Sequence, residues 1–127
     1  RISLHTVPGM LFYTDARRRM IEGVDSIVFV VDSQRERIEA NISAMEDLIE
    51  NLGYYNRTQH EVPLTLQYNK RALPNALPVE ALHQALNAQN EFPEVEACAI
   101  APEGAGVFES LKHVVKAMLR EAAQTTW

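Results

Sequence analysis

Four short stretches of this 127-residue chain carry residues whose types and spacing could do chemistry. The first, Thr6-Val7-Pro8-Gly9-Met10, sets a hydroxyl three residues before a glycine, and a glycine lets a ligand approach the backbone N–H with no Cβ in the way. The second, Val30-Val31-Asp32-Ser33-Gln34-Arg35-Glu36-Arg37, ends an apolar run on a carboxylate. Asp32 could act as an acid or base there, but it fits better as the cap of a helix starting over residues 33–37. The third, Asn69-Lys70-Arg71-Ala72-Leu73-Pro74-Asn75-Ala76, groups an amide, an ammonium and a guanidinium in a turn-rich loop. The fourth, Cys98-Ala99-Ile100, precedes the turn Glu103-Gly104-Ala105-Gly106, which is too short to be specific for phosphate.

Other chemistry-bearing residues read as structural. His5, His60, His83 and His113 have neither metal-ligand spacing nor an adjoining acidic cluster. Cys98, inside a strand-like run, reads as a buried and inert thiol. As the single cysteine it leaves no internal disulfide to form, which suits a reducing cytoplasm. The net charge of −5 argues against a nucleic acid or an anionic membrane as the main partner. No apolar run approaches the roughly 20 residues of a membrane span.

The elements that must position these loops follow from hydrophobic period. Residues 1–7 alternate apolar and polar as a half-buried strand does, and Pro8-Gly9 ends it. Thr14 or Asp15 can cap a short helix over 15–22 that stops at Gly23. Residues 26–31 (SIVFVV) form a continuous β-branched and aromatic run, the mark of a parallel strand covered on both faces. A helix over 35–52 places Ile38, Ile42, Met45, Ile49 and Leu52 on one face. Residues 62–68 (VPLTLQY) read as the next strand, 78–87 as a helix led by Pro78, and 94–100 as a short strand. A last helix over 107–122 turns Phe108, Leu111, Val114, Val115, Met118 and Leu119 inward. The order βαβαβαβα, with no repeat or linker, predicts one α/β unit over residues 1–127: a three-layer, doubly wound, mostly parallel sheet with right-handed crossovers. Ligands in such sheets sit at the C-terminal strand ends, where the four loops fall.

At these loops the chain resembles the small GTPases, over nearly all of its length. Residues 69–76 match the Asn-Lys-x-Asp-Leu-Pro-Asn-Ala of the Arf branch except at Ala72, and Val-Val-Asp-Ser before Arg35-Glu36-Arg37 is similar to the same branch. Thr-Val-Pro-Gly followed by Phe12-Tyr13 resembles the bacterial gliding-motility GTPases, which carry Thr where most relatives have Asp. The resemblance implies a partial P-loop G domain that binds GTP or GDP with Mg²⁺. Thr6 would support the metal through water, and the Gly9 N–H would meet the γ-phosphate. Asn69 would tie the base loop to the phosphate loop, the stem of Lys70 would lie along the nucleotide, and the Ala99 N–H would read the guanine. It also implies a second switch over residues 8–22 that selects a protein partner, such as a roadblock-type regulator. Arg17-Arg18-Arg19 lies on that segment, although a solvated basic face is the simpler reading. Phe12, Tyr13 and Tyr54-Tyr55 read equally as interaction surface or partial core.

Three departures set this chain apart from the family pattern. Met10 replaces the glutamine that orients the attacking water, and a thioether donates no hydrogen bond. Ala72 replaces the aspartate that accepts two hydrogen bonds from guanine. At roughly 1.5–3 kcal/mol for each charge-assisted bond, that loss costs on the order of 10²–10⁴ in affinity. No G-x-x-x-x-G-K-[S/T] run occurs in the 127 residues. Starting on Arg1 and directly on a strand-like run, the sequence is expected to continue upstream, where the family's first strand, phosphate loop and first switch would lie. That first strand would sit between the strands read at 1–7 and 26–31. The expected function is a switch or scaffold of impaired nucleotide handling; the alternative is part of a working GTP hydrolase. A receiver-type regulator is disfavoured, because receivers cluster acidic residues where this chain has Thr-Val-Pro-Gly.

Overall fold

The structure, a computed structural model, describes residues 3–5, 14–98 and 106–125, with the backbone alone for 14–16 and 121–125. Its elements run α1 (Thr14–Ile21), β1 (Ile27–Asp32), a 3₁₀ turn (Arg35–Arg37), α2 (Ile38–Tyr54), β2 (Leu64–Asn69), α3 (Val79–Leu86), β3 (Glu94–Glu96) and α4 (Val107–Thr125). The three strands form a parallel sheet in the order β1-β2-β3. Parallel pairing suits sequences that bury both faces, and Leu64, Thr65, Leu66, Gln67 and Tyr68 are buried in succession along β2.

The two faces of the sheet are covered differently. Val31 of β1 and Leu64, Leu66 and Tyr68 of β2 join Met45, Leu48 and Leu52 of α2 and Leu82 of α3 in the main apolar cluster. The opposite face carries α4, through Val114 and a buried polar tie between Gln67 Nε2 and Ser110 Oγ (3.0 Å). Val30 points to that face and is 56% exposed, so α4 leaves that end of β1 uncovered. Gly106, at φ +82°, starts α4 where a Cβ would stand 1.9 Å from the Glu96 carbonyl oxygen, so glycine alone fits.

Several sequence expectations change here. The expected strand over 1–7 is not found in its described part: Ser3, Leu4 and His5 are exposed and outside any strand, because no neighbouring strand among the described residues gives them a ladder partner. The buried face of α2 runs through Asn41, Met45, Leu48 and Leu52, while Ile38, Ile42 and Ile49 sit half-buried at its flank. Two polar residues therefore share that helix's inner side, Asn41 and Asn51. On α4, Phe108 and Leu119 are exposed, since both lie well round the helix from the Ser110–Val114 line. Lys112 holds its ammonium over the Phe108 ring at 5.0 Å. Cys98 is half-buried, less enclosed than its apolar neighbours imply.

A buried polar cluster joins β2, β3 and α3. The Tyr68 hydroxyl donates to Glu94, and His83 Nδ1 lies 2.9 Å from both Glu94 carboxylate oxygens. Burial works against the Glu94 charge, but the Tyr68 hydroxyl and His83 outweigh it and hold its carboxyl below the usual range. Burial, reinforced by Glu94, raises the Tyr68 hydroxyl. A carboxylate depressed in the folded state stabilises the fold above its unfolded pKa, and that stabilisation fades as the pH falls through the folded value. Glu94→Gln is therefore expected to lower stability at pH 7 by about 1–3 kcal/mol. Urea denaturation as a function of pH should show this deficit shrinking as the pH falls below the ordinary glutamate range; a constant deficit would mean that the charge is irrelevant.

Candidate functional site

The candidate site is built where β1 and β2 end. Asp32 and Asn69 are direct partners in the parallel register, so the two following loops start side by side. Lys70 takes a left-handed backbone conformation, φ 62°, which turns the chain sharply after β2. Its N–H donates to Asn69 Oδ1 (2.7 Å), and its ammonium reaches back to Asp32 Oδ2 at 2.9 Å. Gln34 also serves Asp32, through its backbone N–H (3.1 Å to Oδ1) and its side-chain amide (3.0 Å to Oδ1, 3.2 Å to Oδ2). Partial burial opposes the Asp32 charge, yet Lys70 and Gln34 together hold the carboxyl below its usual range.

Further contacts zip the loops together. Leu77 N–H donates to the Ser33 carbonyl (2.8 Å) and Arg35 N–H to the Asn75 carbonyl (3.0 Å). Asn75 Nδ2 reaches Gln34 Oε1 (3.2 Å) and Glu36 Oε2 (2.6 Å). On the other side, Ala97 N–H donates to the Tyr68 carbonyl (2.7 Å) and the Ala97 carbonyl accepts from Arg71 N–H (3.3 Å). The segment leading towards Ala99 therefore runs beside the loop of Asn69 and Lys70. Beneath them Gln67 Oε1 accepts from Asn69 Nδ2 (3.4 Å), while the Gln67 amide donates to Ser110 Oγ, which itself donates to the Gly106 carbonyl (3.0 Å). A buried amide in the middle strand thus couples the Asn69 turn to the start of α4.

Of the residues expected to form a site, the structure brings Asn69, Lys70 and Ala72 into one loop, where Ala72 presents only an exposed methyl group. Thr6, Gly9, Met10 and Ala99 lie outside the described residues, as do Phe12 and Tyr13. Asp32 is not the cap of the following helix; its carboxylate closes a turn onto Gln34 and pairs with Lys70. Gln34, Asn75, Gln67 and Ser110 were not singled out by sequence. A glutamine inside an otherwise apolar middle strand was the available signal, since a buried amide must find partners. The Ser33 hydroxyl is fully buried and has no partner among the described residues.

The loop after β2 therefore holds an amide and an ammonium, with a methyl group in place of any acceptor at position 72. The residues present fit a nucleotide only in part. Comparison with known proteins accounts for the pattern: residues 14–118 match the model of the ADP-ribosylation factor family. The chain belongs to that family. It is also 48% identical over 121 residues to the mutual gliding-motility protein MglA of Myxococcus xanthus (strain DK1622), covering 95% of this chain and 60% of that protein. The chain thus spans a little under two thirds of the relative's length. As an ADP-ribosylation factor family member of the MglA and Arf-like small-GTPase kind, it keeps the alternating α/β order and the parallel sheet of a partial G domain.

The run Arg17-Arg18-Arg19 is not simply a solvated face in this family member. Arg17 is buried, with its Nε 3.3 Å from Asp47 Oδ2, and Arg18 Nε donates to Asn51 Oδ1 (2.9 Å). Asn51 Nδ2 in turn donates to Asp47 Oδ2 (3.1 Å). Two of the three arginines latch α1 onto α2, and of the three Arg19 alone is exposed.

Asp32→Asn is expected to release the Lys70 ammonium at a stability cost of no more than about 1 kcal/mol, because the pair is partly solvated. Amide hydrogen exchange should then accelerate across residues 70–76 while β2 stays protected. Unchanged exchange in that loop would show that the backbone bonds alone hold it.

Proposed function

We propose that this chain is a single G-domain-like unit of the small-GTPase kind, with impaired nucleotide handling, that acts in the cytoplasm by presenting residues 8–22 to a protein partner. The observation that carries the reading is Ala72, a methyl group in the loop where the resemblance requires a carboxylate. A methyl cannot accept the two guanine hydrogen bonds, and the Lys70 ammonium beside it is held by Asp32. Met10, by its side-chain chemistry, removes the donor that would orient water. A roadblock-type regulator is the partner that the gliding-motility resemblance implies, and polarity or gliding control is the corresponding role. The latch of α1 on α2 supports a presenting role, since it holds part of the 8–22 segment at the surface in a fixed pose.

A second reading, a portion of a GTP-hydrolysing switch, is favoured by one observation: the chain spans 60% of the matched gliding-motility protein. GTP or GDP with Mg²⁺ would then be held jointly with residues beyond these 127. In that case Asn69 and Lys70 would contribute the base side.

Isothermal titration of this chain with GTP or GDP is expected to show no binding tighter than about 10 µM. Nanomolar binding would overturn the impaired reading. In a longer chain bearing an upstream phosphate loop, Ala72→Asp should raise the preference for GTP over ATP by about tenfold or more. No gain would mean that the base loop is misplaced.

A further inference from the structure

The last turn of α1 and the C-terminal end of α2 flank an open surface hollow of about 320 Å³, lined by Arg18, Arg19, Tyr54 and Tyr55. We propose that this hollow docks a carboxylate side chain from an acidic segment of a protein partner. The inference rests on the reading of residues 8–22 as a partner surface and names the chemistry that the partner brings.

Three observations carry it. First, one guanidinium of the cationic wall, that of Arg18, is held in place by contacts within the chain. Arg18 is fixed through Nε by Asn51 and lies with its guanidinium carbon 4.7 Å from the Tyr54 ring centroid. The Tyr54 and Tyr55 rings meet edge-on, 5.0 Å apart at 85°. A guanidinium held in this way loses little rotamer freedom on binding. Second, its charge is not paired off among the described residues, where the nearest carboxylate named beside the tyrosines is Glu22. Acidic residues outnumber Lys and Arg 17 to 12, yet neither Arg18 nor Arg19 forms an ion pair among the described residues. Third, Tyr54 is 63% exposed, an apolar ring held in water beside the two guanidinium groups.

The simplest competing account is that Arg18 and Arg19 only complement the negative end of the α1 dipole. That account explains the arginines but not the paired tyrosines that complete the hollow. The lining chemistry selects the ligand. The terminal nitrogens of a guanidinium form a planar fork that matches a carboxylate in two parallel bonds, and the tyrosine faces accept the methylene stem of a glutamate. A lipid surface is the poorer match, because polybasic membrane segments use clusters of about 4–8 Lys and Arg and this patch offers two on an acidic chain.

The test is fluorescence polarisation of this chain with two labelled peptides, one rich in glutamate and the other identical with glutamine in place of each glutamate. The glutamate peptide should bind at least about tenfold more tightly. The difference should narrow as NaCl rises from about 50 to about 300 mM. Arg19→Gln and Tyr54→Ala, both outside the latch hydrogen bonds, should each weaken the glutamate peptide by about fivefold or more, with the circular dichroism spectrum unchanged. Equal binding of the two peptides, or indifference to both substitutions, would overturn the proposal. So would competition by inorganic phosphate as effective as that by the peptide, or tight sedimentation with phosphatidylserine vesicles in the absence of peptide binding. A chain that ignores the glutamate peptide but still binds a roadblock-type regulator loses the hollow and keeps the partner reading. A chain that binds neither loses both.

Discussion

The pairing of Asp32 with Asn69 across the β1–β2 ladder is the constraint on which the site depends. Because both strands run the same way, that register ends them at one level and launches two loops side by side. Lys70 then needs only a single left-handed residue to bring its ammonium back onto Asp32. A slip of one residue would turn each β1 side chain to the other face of the sheet. Val31 would leave the core, and the carboxylate would face away from the ammonium. The apolar packing of Val31, Leu66 and Tyr68 thus fixes the polar geometry a few residues further along.

Polar contacts do unusual structural work elsewhere in the molecule. Among the described side chains of α1, Ile21 is the buried apolar one, and Arg17 and Arg18 tie the helix to Asp47 and Asn51. Hydrogen bonds and partly buried ion pairs are directional and individually weak. They define how α1 lies on α2 without adding much cohesion. An element tied in this way keeps a definite pose, yet it can leave that pose without breaking the core. The Gln67–Ser110 tie plays the opposite role on the far face of the sheet: it is buried on both sides, so removing either partner would strand the other.

Period and turn chemistry made most of the fold legible in the sequence. Residues 26–31, 62–68 and 94–100 anticipated the three strands to within a few positions, because β-branched runs bounded by polar turns have few other uses. The loop of Asn69, Lys70 and Ala72 was likewise legible from residue type and spacing. The strand expected over 1–7 was not found at Ser3–His5, since alternation signals a strand only when a neighbour supplies the ladder. The burial of Asn41 and Asn51 escaped a reading that followed the isoleucines, because polar residues on an inner face are recognised by their partners and not by their period. The roles of Asp32 and Gln34 escaped it for the same reason. A carboxylate before a helix start looks like a cap until a lysine 38 positions away is brought beside it.

Asn41 closes one end of the outer edge of β1, which no other strand pairs among the described residues. Alternation along the parallel ladder turns Ile27, Phe29, Val31 and Ser33 towards β2, as the bonds Ile27 N–H to Pro63 and Ser33 N–H to Asn69 show. The backbone groups of Val28, Val30 and Asp32 therefore face the other way. At Asp32 the Asn41 carboxamide accepts from the N–H (3.2 Å) and donates to the carbonyl (2.8 Å), as an adjoining strand would. Among the described residues, Val28 and Val30 therefore carry the outward-facing backbone groups that Asn41 does not engage.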